Sequence, residues 1–188
     1  MLSNNEATAQ LIAQGSKNLL KYKDLDKIRI KEITDEAGLM RPTFYNYFQD
    51  KYEVVEYIFC HEILEPVRPF LKSGLNRAAF QFMAMAFQRD YDFYHREIQR
   101  ASQNSFRDIL AKTMHDFLLP ILTEKLKKPV HPLMTAENIT DYYVNIFLFV
   151  LTRWLTDGRQ VSVEQLMEIY DLIVSNSLED LLSEKLTE

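Results

Sequence analysis

The sequence has little of what turn-rich or cross-linked folds need. Its 188 residues include four glycines, six prolines and a single cysteine, Cys60. This scarcity of turn-forming residues disfavours a β sandwich, and no window alternates apolar and polar residues for long enough to predict a strand. One cysteine cannot form an internal disulfide, which indicates a reducing compartment. The content of 47% hydrophobic and 26% charged residues predicts a folded helical protein.

A membrane-spanning segment is also missing. The longest strongly apolar run, residues 144–151, is interrupted by Asn145, whereas a span needs about 20 apolar residues. No apolar signal segment opens the chain. We therefore expect a cytoplasmic protein with no membrane partner.

An excess of positive charge, which DNA phosphates attract, is absent from the chain as a whole. The formal net charge is −5, which by itself argues against a nucleic-acid partner. In residues 1–50, however, seven basic residues balance seven acidic ones. The N-terminal segment is thus neutral, and it can bind DNA if its cations share one face.

Signals for catalysis or for a metal centre are scarce. The sequence has no glycine-rich phosphate loop, no nucleophile elbow and no histidine-carboxylate set fixed by a motif. Its four histidines are scattered, and the pair His61 and Glu65, beside Cys60, is a weak lead to a metal site. We expect no enzyme, no cofactor and no metal. Cys60 is interpreted as a small buried hydrophobe, with a redox sensor as the alternative.

Helical periodicity predicts an all-α fold of about nine helices. They span approximately residues 5–22, 30–37, 41–48, 51 to the prolines at 66 and 69, 76–100, 105–118, a short helix from 120, 135–155 and 162–186. Local signals support several ends. Gly38 ends the second helix, Pro42 suits the first turn of the third, Asp50 is an N-cap, and Ser162 with Gln165 forms a capping box.

Two short helices joined by Gly38, Leu39 and Met40 form a helix-turn-helix candidate, whose second helix would enter the major groove. The same pattern occurs in all-α proteins that bind nothing, so an all-helical interaction protein without DNA binding stays open. The residue types in these helices favour the DNA-binding alternative. Residues 33–39 read ITDEAGL, and residues 43–51 read TFYNYFQDK.

This stretch strongly resembles the DNA-binding signature of the TetR family of transcription regulators. The resemblance implies an N-terminal three-helix helix-turn-helix domain in residues 1–50 and a C-terminal helical bundle for ligand sensing and dimerisation in residues 51–188. It implies a homodimer on a palindromic operator. Repression released by an unknown small-molecule effector is the expected mode. The sequence of residues 41–45 and 50–52 also resembles the subgroup that contains the activator of dihydroxyacetone-kinase operons. Activation through a protein or metabolite partner is therefore the alternative.

The resemblance also implies which side chains meet DNA. They carry hydroxyl, amide or cationic groups: Arg41, Thr43, Tyr45, Asn46, Tyr47, Lys51 and Thr34. Phe44 and Phe48 are expected to anchor the recognition helix in the core. The alternative is that the tyrosines are half-buried packing residues and that Arg41 is a solvated charge. Met40 departs from the family, which usually has a serine there that can cap the recognition helix; methionine cannot accept that hydrogen bond.

The C-terminal part supplies two further sets of candidates. Aromatic, methionine and histidine side chains predict an apolar ligand cavity, with a simple packed core as the alternative: Tyr57, His61, Met83, Phe87, Tyr91, His95, Met114 and Phe117. The last two helices provide the candidate dimer surface, from which the family builds a four-helix bundle with the twofold mate: Tyr143, Phe147, Val150, Trp154, Leu166, Tyr170 and Ile173. Part of that surface must be intrachain core, and the sequence does not apportion it.

Overall fold

The computed structural model describes residues 4–99, 105–128, 131–157, 161–176 and 180. Its helices are α1 (Asn4–Leu20), α2 (Ile30–Glu36), α3 (Arg41–Tyr45), α4 (Lys51–Phe59), α5 (Glu65–Lys72), α6 (Asn76–Arg89), α7 (Tyr91–Ile98), α8 (Phe106–Lys125), α9 (Ala136–Thr156) and α10 (Val163–Ser175). A 3-10 turn (Leu25–Lys27) follows α1, and a π-helical segment (Cys60–Leu64) joins α4 to α5. No strand occurs in the described ranges, which confirms the all-α prediction.

The first three helices form a small unit in which α1 lies close against α2. Ile12 and Leu20 of α1 are buried, as the apolar stripe predicted. Gly15 permits the close approach: a Cβ atom there would lie 3.1 Å from the Ile33 carbonyl oxygen and 3.3 Å from the Ala37 Cβ. Any side chain at this position would therefore push α1 and α2 apart.

The turn between α2 and α3 follows the sequence signals. Gly38 has φ 66°, the left-handed conformation that ends a helix at low cost for glycine. Pro42 lies in the first turn of α3. α3 ends at Tyr45, earlier than the predicted residue 48, and turns continue the chain to the buried Phe48.

α4, the π-helical segment and α5 form one continuous helical stretch, although the prolines were predicted to kink or end it. The Glu65 N–H donates to the Cys60 carbonyl, one residue farther back than in an α-helix. Pro66, which lacks an N–H, follows where the regular bonding pattern is already interrupted. Asp50 caps the start of α4 as predicted, accepting the N–H groups of Tyr52 at 2.8 Å and Glu53 at 3.0 Å.

Two predicted helix boundaries in the C-terminal part were wrong. The helix predicted over residues 76–100 divides at Asp90, whose carboxylate lies 3.5 Å from Lys17 Nζ and 3.1 Å from Arg89; aspartate favours helix ends over helix interiors. Pro120, by contrast, lies inside a single helix, α8. It is exposed, as is Asp116 one turn earlier, so water can satisfy the carbonyl that loses its helical donor.

The remaining helices pack into one bundle around α8 and α9, which lie side by side. α7 packs on α9, and α6 lies between α5 and α10. The predicted capping box of Ser162 and Gln165 opens α10. α10 ends at Ser175 with Asn176 extended, and most of the rest of the predicted helix over 162–186 lies outside the described residues. With α4 to α5 counted as one, the described residues form nine helices.

Candidate nucleic-acid interface

α3 stands on the surface of the N-terminal unit with one apolar side buried and one polar side exposed. Phe44 and Phe48 are buried, with their ring centroids 5.9 Å apart, and Phe48 meets the Tyr57 ring of α4 at 5.4 Å. These rings hold α3 against the core, as predicted. Tyr45 is 48% exposed on the other side. Arg41 is also exposed there, whereas Tyr47, just after α3, is half-buried and packs against the core.

The exposed side of α3 is partly ordered by contacts among its own residues. The Arg41 guanidinium donates to the Tyr45 hydroxyl at 3.1 Å and lies 5.7 Å from the centre of that ring. The Tyr47 hydroxyl donates to Asn5 of α1 at 3.3 Å. Asn46 is exposed and Thr43 half-buried. Hydroxyl, amide and guanidinium groups thus share one surface, and these are the groups that reach phosphates and base edges in a major groove.

Lys51 lies beside this surface, but it already has partners within the chain. Its ammonium donates to the carbonyl oxygens of Asp26 at 2.7 Å and Ile28 at 3.1 Å. Burial lowers the pKa of Lys51, while the carboxylates of Asp26 and Asp50 act in the opposite direction. The residue fastens the start of α4 to the 3-10 turn, and this role accompanies any contact that it makes with a phosphate.

The structure does not bring Thr34 to the same surface. Its side chain is buried, with 1% of the residue exposed, and its hydroxyl donates to the Lys31 carbonyl at 2.9 Å. Thr34 faces the core because it lies on the inner side of α2. We therefore leave it out of the interface. Met40, which was expected not to cap the recognition helix, is 76% exposed just before α3, and no side chain caps the start of this helix.

The eight predicted ligand residues do not gather around one cavity. The Tyr57 ring contacts the exposed His61 in a tilted arrangement with ring centroids 4.1 Å apart, close to the N-terminal unit. Tyr91 and His95 form a second pair at 5.4 Å. Met114 and Phe117 are buried in α8, and the Arg68 guanidinium covers the Phe117 ring at 4.4 Å.

Met83 and Phe87 are the two candidates that share a pocket. They line it together with α9 and α10 residues including Phe147, Trp154 and Leu166. Its cavity volume is about 10 Å³, and a second pocket, between α1, α4, α7 and α8, holds about 30 Å³. Such volumes accommodate about one water molecule in the smaller pocket and about two in the larger. In this conformation the central region is packed, as in the alternative that the sequence left open.

The predicted dimer residues divide between the intrachain core and the surface. Phe147, Trp154 and Leu166 are buried inside the chain, and the Trp154 indole N–H donates to the Val161 carbonyl at 2.9 Å; their assignment to a dimer surface is corrected here, because folding of the single chain already covers them. Tyr143 and Ile173 are exposed. Val150 is half-buried, as is Tyr170, which stacks on Phe80 at 4.8 Å.

An exposed apolar face nevertheless runs along α9 and α10, and it includes Phe149 and Leu172, which the sequence analysis did not assign to the dimer surface. We call it the α9–α10 face: Tyr142, Tyr143, Ile146, Phe149, Ile169, Leu172, Ile173 and Val174. Its α9 members recur every three or four residues, a helical spacing that the sequence could have shown. Phe149 alone is 65% exposed. An aromatic and aliphatic surface of this extent is typical of a protein interface.

Cys60 and the histidines do not form a site in the described chain. Among the residues that the structure describes, no group of three or more histidine, cysteine, aspartate or glutamate side chains is arranged to hold a metal ion. Cys60 is half-buried, and burial raises the pKa of its thiol, which disfavours the reactive thiolate. Over the same described ranges, no helix combines the length and the apolar character that crossing a bilayer requires.

Comparison with protein families identifies both parts of the chain. A family profile described as "Bacterial regulatory proteins, tetR family" matches residues 12–58. Another, described as "Transcriptional regulator C-terminal region", matches residues 77–176. The first match contains α2, α3 and the turn between them, and the second extends from α6 to the end of α10.

Two curated relatives show the same kinship. The HTH-type transcriptional regulator YxbF of Bacillus subtilis is 22% identical over 167 residues, which are 82% of this chain and 42% of the relative. The HTH-type dhaKLM operon transcriptional activator DhaS of Lactococcus lactis is 34% identical over 58 residues, which are 31% of each protein. The chain thus spans less than half the length of the curated relatives that it matches.

Solved structures share the fold. The dihydroxyacetone kinase operon activator DhaS superposes with a TM-score of 0.63 at 20% identity, covering 89% of this chain and 94% of that one. NalD of Pseudomonas aeruginosa, the secondary repressor of the MexAB-OprM multidrug efflux pump, gives a TM-score of 0.59 at 18% identity with the same coverage. At these identities the likeness shows the fold alone.

Proposed function

Because this chain belongs to the TetR family of bacterial transcription regulators, we propose that it reads DNA with the exposed side of α3. The interface consists of Arg41, Thr43, Tyr45, Asn46 and Tyr47, with Lys51 beside them. The observation that carries the proposal is the division of α3 into a buried phenylalanine side and an exposed polar side, whose Tyr45 is 48% exposed. Contacts of these side chains with phosphates and base edges give affinity and specificity. The protein acts by binding, without catalysis.

The α9–α10 face is the proposed contact between two copies of the chain. A single short recognition helix reads few base pairs, and two copies must lie about 34–36 Å apart to enter successive major grooves of a palindrome. A twofold pair of α9 and α10 helices buries the same apolar residues on both chains. The division of the chain into a DNA-binding domain (residues 1–50) and a domain for ligand sensing and dimerisation (residues 51–188) remains a prediction from the sequence.

The proposed mode of regulation is repression released by a small molecule. The structural relative NalD is a repressor, and repression needs no contact with the transcription machinery beyond occupancy of DNA. The effector site is proposed where Met83 and Phe87 line a pocket with Trp154. Since this pocket is small here, binding of an effector requires α6 to move away from α9 and α10.

Activation is the second candidate, and one observation favours it. The relative with 34% identity over 58 residues is a transcriptional activator. Occupancy of the promoter distinguishes the two modes, since a repressor overlaps the polymerase site, whereas an activator binds beside it. In vitro transcription from the selected promoter, with and without the protein, measures the sign directly.

Selection of random DNA fragments by the purified protein, followed by sequencing, tests the central proposal. We expect a palindromic sequence, with the two halves about one helical turn apart. Enrichment of no sequence at all, under conditions in which the protein is folded, contradicts DNA reading by α3. A non-palindromic site contradicts the twofold dimer.

The effector proposal has a built-in optical probe, because Trp154 is the single tryptophan of the chain. Compounds that enter the pocket should change its fluorescence and lower operator affinity together. The variant Met83→Ala should alter the apparent affinity for such a compound, whereas Met85→Ala, an exposed methionine on the same helix, should not. Compounds that release DNA but leave the emission of Trp154 unchanged argue for another site.

A further inference from the structure

The end of α7 touches the N-terminal unit through two neighbouring charged residues. The Arg96 guanidinium donates to the Leu20 carbonyl and, at 3.5 Å, to the Lys21 carbonyl. The Glu97 carboxylate accepts the Leu25 N–H at 3.3 Å. Glu97 is 3% exposed, so this contact lies in the interior of the protein.

Both residues satisfy backbone groups that the N-terminal unit leaves without a helical partner. The last carbonyls of α1 have no intrahelical donor, and they form the negative end of the helix dipole, which attracts a guanidinium. Leu25 opens the 3-10 turn. The Arg96 Nε lies 3.6 Å from the Glu97 carboxylate and 3.7 Å from Asp24. Lys27, 2.8 Å from Asp24, supplies the second positive charge, so the charges of the contact are balanced.

The 3-10 turn that α7 holds on one side is held on the other side by the start of α4. Lys51 donates to the carbonyls of Asp26 and Ile28, as described above. The Tyr52 hydroxyl donates to the Asp26 carboxylate at 3.0 Å. The turn therefore connects α7 to α4, and the chain continues from the turn directly into α2.

α7 is itself fastened to the helix that carries the proposed dimer face. The Tyr91 hydroxyl donates to the Leu155 carbonyl at 2.8 Å, and His95 Nδ1 lies 2.5 Å from the same oxygen. Leu155 belongs to the last turn of α9. One side of α7 is thus bound to α9, and its end is bound to the α1 terminus and the 3-10 turn.

We propose that Arg96 and Glu97 are positioning residues for DNA recognition, which fix the angle between the N-terminal unit and α9. In a dimer this angle sets the separation of the two α3 helices. Without the contact, the N-terminal unit is held by α4 and by the ion pairs of Lys17 with Glu62 and Asp90, and its orientation becomes less restricted. The inference rests on the proposed function, since it concerns how a DNA-reading dimer is spaced.

Discrimination between operators of different half-site spacing tests the inference. We expect the wild-type protein to prefer the selected spacing over operators with one base pair added or removed. In Arg96→Ala this preference should fall roughly tenfold, the equivalent of one charge-assisted hydrogen bond, while affinity for an isolated half-site stays unchanged. A general loss of stability would weaken all sites alike.

The matched control is Arg77→Ala. Arg77 of α6 forms a two-pronged pair with Asp171 of α10 inside the C-terminal bundle, with distances of 2.7 Å. This variant should keep the wild-type spacing preference. An Arg96→Ala protein with the wild-type preference, or an equal loss in Arg77→Ala, overturns the inference. If Arg96→Ala does not fold, Arg96→Lys, which keeps the charge but loses the planar fork, should show a smaller loss in the same direction.

A distance measurement without DNA separates this inference from the proposed function. Spin labels at position 40, which is exposed beside α3, and at position 153, which is exposed on α9, report the angle in a Cys60→Ser background diluted with unlabelled protein. The distance distribution should broaden in Arg96→Ala and stay narrow in Arg77→Ala. Equal widths overturn the inference even if no operator is found, whereas a failed DNA selection overturns only the proposed function.

Discussion

The α3 surface and the α9–α10 face are both exposed, but their chemistry is opposite. α3 buries its phenylalanines and exposes hydroxyl, amide and guanidinium groups, whereas the α9–α10 face exposes tyrosine, phenylalanine, isoleucine and leucine. Polar groups suit a hydrated, charged polymer, and apolar groups suit a surface that excludes water. The contrast supports the two partners proposed above, DNA at the α3 surface and a second copy of the chain at the α9–α10 face.

The largest effect is expected from a charge placed in the apolar α9–α10 face. Phe149→Lys puts an ammonium where the dimer would exclude water, and we expect the dimer dissociation constant to rise at least about 100-fold, because burial of an unpaired charge costs several kcal/mol. Operator binding should be lost with the dimer. Sedimentation velocity and gel shifts measure the two effects.

The control for this variant is Leu11→Lys, which charges a comparably exposed apolar residue on α1. It should remain dimeric. If Phe149→Lys and the wild-type protein sediment alike as dimers, the dimer uses another surface.

A smaller effect is expected from the polar surface. Tyr45→Ala should lower affinity for the selected operator about 10- to 100-fold, since each good base or phosphate contact contributes roughly 1–3 kcal/mol. Tyr22→Ala removes a tyrosine that is more exposed but lies after α1, and its affinity should match the wild type. Equal binding by Tyr45→Ala and Tyr22→Ala would remove α3 from the interface.

Lys51→Ala tests two roles of one residue, because Lys51 lies beside the α3 surface and also fastens α4 to the 3-10 turn. We expect weaker binding to all sequences alike, and a salt dependence reduced by about one per chain. Thermal unfolding should also shift downward, because the carbonyls of Asp26 and Ile28 lose their donor. An unchanged salt slope beside a lowered melting temperature would leave Lys51 only the structural role.

The smallest effect concerns the cap of α3. Met40→Ser supplies a hydroxyl that can accept an N–H in the first turn, and we expect the free energy of unfolding to rise by about 1 kcal/mol. Little apolar burial is lost, because Met40 is 76% exposed. Urea denaturation measures the change. A decrease would mean that the Met40 side chain stabilises the fold in some other way.

The two regions also differ in how well the sequence predicted them. Around α3 several local signals were interpreted correctly: Gly38 ended a helix, Asp50 capped the next, and Phe44 faced the core. Such signals act within a few residues, so the sequence contains them. Thr34 was the exception, because its burial depends on how α2 packs.

In the C-terminal bundle the same residue types occur on both sides of each helix. Trp154 and Tyr143 were both predicted for the dimer surface, yet Trp154 is buried and Tyr143 is exposed. The difference depends on which helices are neighbours in space, and helix propensity does not determine that. The break at Asp90 accompanies its ion pair with Lys17 of α1, and the continuity through Pro120 depends on the exposure of the Asp116 carbonyl to water; neither is visible in the local sequence.

The π-helical segment has a consequence for the length of the chain. Buried residues come in pairs at positions 54 and 55, 58 and 59, and 63 and 64, followed by Val67, so the repeat is four, then five, then four. A turn closed over five residues holds one residue more than an α-helical turn, and it keeps the later pair in phase with the earlier ones. Deletion of one residue between 60 and 62 would leave an unbroken repeat of four, with the same side chains inward. Elsewhere in a helix a deletion rotates everything beyond it by about 100°; here the deletion of one residue keeps the buried side chains in phase.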